Sequence, residues 1–268
     1  MERRHDLDAL RVLAFLLLIA YHCAMLYVAE WDWHLKSTHL AEWLQWPMLA
    51  MNRWRMALLF LVSGAASSAL TGSACSPNTI HWTYDTWALA NGTGNAIVKT
   101  GGDSWFFLTA DYAFGQALEK DSSAVVTASG GKVLGSVRHP FPASDFSSFL
   151  LQAQSSGAKI IGLANAGADT TNAIKQAAEF GVTPKQSLAG LLMFISDVHS
   201  LGLQATQGMY LTTGFYWDLD DQTRAWSKRF FEKQKRMPTM VQAGQYSSVL
   251  HYLRAVQATG TDEAGKVM

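Results

Sequence analysis

From Ser104 onward, short apolar runs alternate with longer amphipathic stretches, and few folds accept that alternation. Ser104–Leu108 (SWFFL), Lys132–Val137 (KVLGSV), Lys159–Ala164 (KIIGLA), Ser187–Phe194 (SLAGLLMF) and Gly208–Phe215 (GMYLTTGF) have the length and make-up of buried strands. Between them, Tyr112–Ser129 reads as a helix. The next helix carries Phe146, Phe149, Leu150 and Ala153 at i, i+3, i+4 and i+7. Asp169–Phe180 is expected as a helix closed by Gly181 at the C′ position. Asp197–Leu203 follows as a short helix, then Asp220–Lys235 and Val241–Thr259. The last carries Val249, Leu250, Leu253 and Val256 as an apolar stripe. Strands separated by helices in this order predict an α/β fold, a doubly wound parallel sheet.

Ligands on such sheets bind beyond the C-terminal ends of the strands. That rule selects Asp111 and Tyr112 after the first strand, Arg138 and His139 after the second, and Asn165, Ala166 and Gly167 after the third. Ser196 and Asp197 follow the fourth, and Tyr216, Trp217 and Asp218 the fifth. An edge of aromatic and hydrogen-bonding groups suits a small polar ligand. Signatures of enzymes are missing. SGGKV is not a phosphate loop, GTGNAI (Gly92–Ile97) lacks the third glycine of a dinucleotide fingerprint, and neither GxSxG nor HExxH occurs. His139 and His199 are lone histidines and read as ordinary surface or helix residues. No cofactor or metal is expected. The two cysteines, Cys23 and Cys75, build neither a disulfide scaffold nor a CxxC zinc site. Equal numbers of Lys plus Arg (21) and Asp plus Glu (21) leave no positive field for nucleic acid.

The first seventy residues have a different character. Hydrophobic residues make up 49% of the chain and charged residues 16%, and the apolar excess is heaviest here. Ala9–Val28 carries one formal charge, Arg11, and about twenty residues cross the roughly 30 Å hydrocarbon layer. Trp31 and Trp33 follow at the place of an interfacial aromatic belt. Met56–Leu70 is a second, shorter apolar stretch whose small residues Ser63–Ser67 suit close helix packing. Arg3, Arg4 and Arg11 favour a cytoplasmic N-terminus. One span then puts the remaining chain outside. Two spans would leave Lys36, Arg53 and Arg55 on the outer side, against the rule.

Arg11 and His22 lie about three helical turns apart and share a face of that span. An ionisable pair inside a span is a candidate for function. The stretch RRHDLDALRVLAFLLLIAYH, with WDWHLKS and WRMALLFLVSGAAS, resembles the start of acyltransferase family 3, in its glucan-modifying branch. That resemblance implies O-acyl transfer to a sugar hydroxyl, with Arg11 and His22 as its catalytic residues and lipid around it.

The rest of the chain resembles something else. CSPNTIHWTYDTWALANGTG, WFFLTADYAFGQALEKD, GSVRHPFPASDFSSFLLQAQSSGAKIIGLANAGADTTNAIKQAAEFG and QYSSVLHYLRAVQATG are similar to periplasmic substrate-binding proteins of the leucine/isoleucine/valine type, which serve ABC transporters. The resemblance implies a periplasmic binding protein type I lobe, a branched-chain amino acid or amide as ligand, an ABC permease as partner and no covalent chemistry. It makes Tyr112 of TADYAFG a stacking aromatic, puts Asn165–Gly167 near the ligand, and puts Tyr216 or Trp217 where another aromatic belongs. The expected organisation is a membrane segment over 1–70 and a partial binding-protein domain over 71–268. Within the latter, 104–236 is a near-complete second lobe, and 75–103 and 237–268 are pieces of the first. The chain reads as a solute-binding component tethered to the inner membrane with its binding domain in the periplasm. The alternatives are an acyltransferase fragment and a non-functional fusion.

Overall fold

A computed structural model describes residues 66–73, 80–183, 185–261 and 264–267. Helix α1 spans Thr86–Lys99. Strand β1 (Ser104–Ala110) leads to α2 (Ala113–Ala128), β2 (Lys132–His139) to α3 (Ser147–Ser155), β3 (Ile160–Ala164) to α4 (Ala168–Glu179), and β4 (Ser187–Gly190) to α5 (Ile195–Leu201) and α6 (Leu203–Thr206). Helices α7 (Asp221–Gln234), α8 (Met240–Thr259) and α9 (Ala264–Val267) follow. The sheet order is β2-β1-β3-β4, with every pairing parallel. The parallel doubly wound sheet read from the sequence is therefore present, with four strands among the described residues instead of five.

The period of two along a strand explains the layers. Phe106 and Leu108 of β1, with Ile161 and Leu163 of β3, join Phe146, Leu150, Ala173 and Ile174 of the 146–174 segment in one cluster. Trp105 and Phe107, with Ile160 and Ala164, join Leu89 and Ile97 of α1 and Leu118 and Val126 of α2 in the other. Both faces of β1 and β3 are thus covered, as parallel sheets require. Trp105 is fully buried, and its indole N–H donates to the Gly102 carbonyl at 2.8 Å, so its burial leaves no orphan donor. Helix α1 lies within 75–103 yet packs beneath this sheet, so the body of the fold includes it.

The expected fifth strand does not form. Residues 208–215 meet the sheet through a single bridge, Ala189 to Tyr210. The fourth strand stops at Gly190 instead of reaching Phe194. The stripe expected on the last helix is also only partly used. Val249 and Leu253 are exposed, whereas Met240 at the start of α8 enters the core.

Among the described residues no helix is long and apolar enough to cross a membrane. The expected span Ala9–Val28, and most of Met56–Leu70, lie outside the described residues. The end of the latter does not: Ser68–Leu70 is a 3-10 turn. It is pinned to the fold by Asp121, whose carboxylate accepts hydrogen bonds from the Ser68 hydroxyl at 2.9 Å and the Thr86 hydroxyl at 2.6 Å.

Candidate functional site

The two central strands, β1 and β3, end side by side and each turns at once into a helix. Tyr112 caps α2 in an extended conformation and Gly167 caps α4 at φ 61°, neither with a side-chain hydrogen bond. The first-turn N–H groups of both helices, and the positive ends of their dipoles, therefore face the same edge of the sheet. Gly115 makes the first of these turns tight, because a Cβ there would run into the Ala110 carbonyl oxygen. A positive φ at position 167 is likewise suited to glycine.

Tyr112 is half-buried, with its ring stacked on Phe141 at 4.6 Å and 25° and tilted against Phe114 at 5.9 Å. Burial pushes its phenol pKa up, and the negative charge of Asp169 adds to the shift. The hydroxyl is therefore a protonated donor at neutral pH. Asp111 is exposed and already engaged, accepting from the Gln116 amide at 3.0 Å and facing the Arg138 guanidinium at 3.7 Å. Such an exposed pair adds little stability.

Behind the aromatic pair lies a buried polar chain. His139 is not a surface or helix residue, as its sequence context suggested; it ends β2 and is wholly buried. The carbonyl of Pro140 sits 2.8 Å from His139 Nδ1, and the Asn165 amide nitrogen 3.2 Å from Nε2. A carbonyl only accepts and an amide nitrogen only donates, so the proton belongs on Nδ1. Asn165 is fully buried in turn, and its Oδ1 accepts from the Thr170 hydroxyl at 2.8 Å. Asp169 accepts from the Ala143 amide at 3.2 Å through Oδ1, while Oδ2 lies 3.7 Å from His139 Nδ1. The strand-end rule found His139 and Asn165. It passed over Asp169 and Phe141, because nothing in their spacing shows that a cis Phe141–Pro142 loop and a helix first turn meet here. His199, by contrast, is an exposed residue of α5, as expected.

Ala166 and Gly167 are half-buried beside this chain. Tyr216 is exposed and Trp217 half-buried, their rings 5.8 Å apart. They follow the unpaired 208–215 segment, not a strand end. Tyr216 lines a cavity of about 550 Å³ whose other walls include Met193, Phe194, Met209, Leu211 and Phe215. Tyr112, Asn165, Ala166 and Gly167 are outside that lining, so the candidate residues fall into two neighbourhoods. Asp197, after β4, accepts from the Phe194 amide at 2.9 Å; burial pushes its carboxyl pKa up, and that hydrogen bond opposes the shift. Among the described residues no group of three His, Cys, Asp or Glu could hold a metal. Arg11 and His22 lie outside the described residues.

The profile described as "Periplasmic binding protein" matches residues 53–268. The chain belongs to the periplasmic binding protein family. The match begins inside the stretch that resembles an acyltransferase and leaves Arg11 and His22 outside it. Among solved structures, a periplasmic binding protein from Burkholderia mallei is 62% identical, with a TM-score of 0.75, covering 76% of this chain and 54% of its own. A branched-chain amino acid ABC transporter periplasmic ligand-binding protein from Burkholderia xenovorans is 37% identical, with a TM-score of 0.69, covering 82% of this chain and 60% of its own. An amino acid ABC transporter substrate-binding protein from Pseudomonas fluorescens, 24% identical at a TM-score of 0.70, shares the fold over 76% of this chain and 56% of its own. The chain thus spans between 54% and 60% of these family members' lengths. No curated protein matches it.

Proposed function

We propose that this chain is the solute-binding component of an ABC transport system for branched-chain amino acids or amides. In this reading the domain works in the periplasm and delivers its solute to a permease. Residues 1–70 hold it at the inner membrane, which rests on the sequence of Ala9–Val28 alone. The observation that carries the reading is the Tyr112–Phe141 stack beside the open N-termini of α2 and α4. An aromatic shelf gives a small molecule apolar contact, and unpaired N–H groups give it hydrogen bonds. Asp111, Asn165, Ala166, Gly167, Tyr216 and Trp217 complete the set of proposed contacts. Kinship to the Burkholderia xenovorans protein, whose name carries the branched-chain class, supports the choice of solute.

Thermal unfolding of the full chain with a panel of amino acids and amides tests this. A ligand that binds only the native state raises the midpoint by mass action, by about 2.7 kcal/mol of added stability at a hundred times its dissociation constant. One ligand class is expected to move the midpoint, and Tyr112→Ala to abolish the movement. A midpoint that never moves, or moves equally in Tyr112→Ala, would overturn the assignment.

A further inference from the structure

Strand register brings Tyr112 and Phe141 side by side. Ala110 pairs with His139 across β1 and β2, and the Asp111 amide donates to the His139 carbonyl at 2.9 Å. Each ring belongs to the second residue past that pair. Their support differs. Tyr112 caps α2 and so leads straight into a helix. Phe141 is 55% exposed and lies in residues 140–146, which cross from β2, an edge strand, to α3. Among the described residues, 140–145 make no backbone–backbone hydrogen bond. A segment without a ladder of its own is held by other groups or not at all.

The groups that hold it are two side chains of α4. Asp169 Oδ1 accepts from the Ala143 amide at 3.2 Å. Gln176 uses both ends of its amide: Oε1 accepts from the Phe146 N–H at 2.7 Å, and Nε2 donates to the Ser144 carbonyl at 2.8 Å. Seven positions are close to two helical turns, so Asp169 and Gln176 stand on one face of α4, with the buried Ala173 between them. Asp169 is 2% exposed, and its Oδ2 has no hydrogen-bond partner among the described residues. A buried carboxylate is costly, and this one is offset by its place in the first turn of α4, at the positive end of the helix dipole. The result is an acceptor aimed at the loop where water does not compete for it.

We propose that Asp169 and Gln176 are positioning residues of the solute site: they clamp residues 140–146 to α4 and thereby hold Phe141 against Tyr112. Neither touches the solute. They set its affinity from behind the aromatic shelf. This rests on the solute-binding reading above and deepens it.

Two measurements on the full chain test the clamp. The first needs no solute. Rings stacked at 4.6 Å shift one another's NMR resonances, so the Tyr112 ring signal reports the stack, and Phe141→Ala shows where that signal goes when the stack is lost. Asp169→Ala and Gln176→Ala are each expected to move it most of the way there. Asp169→Asn, which keeps an acceptor for the Ala143 amide, is expected to restore it. Should Asp169→Ala fail to fold, the half-buried Gln176 still carries the test. The second measurement is calorimetric titration with leucine. Asp169→Ala and Gln176→Ala are each expected to weaken binding about ten-fold, about 1.4 kcal/mol, with Asp169→Asn recovering most of the loss. In a Phe141→Ala background they are expected to cost little more, because residues acting through one contact are not additive. A Tyr112 signal that stays in place in the variants, or a full further loss of affinity in the Phe141→Ala background, would overturn the clamp. A lost stack with unchanged leucine affinity would overturn its role at the solute site. No leucine binding by the unaltered chain would count against the branched-chain reading, and the ring signal would still decide the clamp.

Discussion

Strand β1 and residues 208–215 look alike as text, yet one is the centre of the sheet and the other barely touches it. Trp105–Ala110 is buried at every position and pairs with β2 on one side and β3 on the other. Its even and odd residues feed different clusters, so both faces are rewarded. In 208–215 the large side chains of Met209, Leu211 and Phe215 are half-buried, Tyr210 is exposed, and Thr212, Thr213 and Gly214 interrupt the apolar run. None of the eight residues is fully buried. The polar groups find other partners: the Thr212 hydroxyl meets that of Thr93 at 2.8 Å, and the Gly214 amide donates to the Met240 sulfur at 3.4 Å. Side-chain and loop hydrogen bonds of this kind compete with a strand ladder. A parallel strand is held by burial on two faces; a half-buried segment yields to local partners.

The sharpest way to break that contrast is at the centre. Phe107 is fully buried, so Phe107→Ala is expected to cost about 3–5 kcal/mol. Chemical denaturation measures it, and a loss near zero would mean that two-sided burial is not what holds β1. A middle effect belongs to the polar chain at the strand ends. Asn165→Ala strands His139 Nε2 and the Thr170 hydroxyl and is expected to cost about 1–3 kcal/mol, with Asn165→Asp a weaker substitute whose stability reports which groups donate. The segment itself should respond less. Thr212→Val removes one hydrogen bond at nearly constant volume, for about 1 kcal/mol, and should speed amide exchange over 208–215 while leaving β1 protected. Unchanged exchange there would show that the Thr93 contact does not hold the segment off the sheet. The smallest effect concerns Asp197. Burial raises its carboxyl pKa in the folded state, so the folded state favours the protonated form. The stability this contributes is present in acid and lost as pH rises through the raised value. Asp197→Asn is therefore expected to raise the melting temperature slightly at neutral pH, with the difference shrinking in acid; a difference independent of pH would point to packing instead of charge.

Patterns of short range were legible without any structure. Within the expected strands, Trp105–Leu108 and Ile160–Ala164 carry no polar side chain, which is what burial on two faces demands, and both lie in strands. The spacing of Phe146, Leu150 and Ala153 marked α3 and its buried side. Gly181 follows the end of α4 at φ 65°, as its place after the apolar repeat implied. The parallel order followed from strands separated by helices, and with it the edge where Tyr112, Asn165 and Gly167 gather. Other features depended on contacts distant in sequence. Thr93 and Thr212 are 119 positions apart, and no local pattern announces that they meet. The same holds for His139 and Asn165, where burial turns a histidine beside a proline into part of a sealed hydrogen-bonded chain. The cavity beside Tyr216 arises because Met193, Met209 and Met240, each unremarkable in its own segment, converge on one wall. Periodicity reports which face of a segment is apolar, because that depends on neighbours three or four residues away. Which distant segment covers that face depends on three-dimensional packing, and there the fifth strand gave way and the cavity opened.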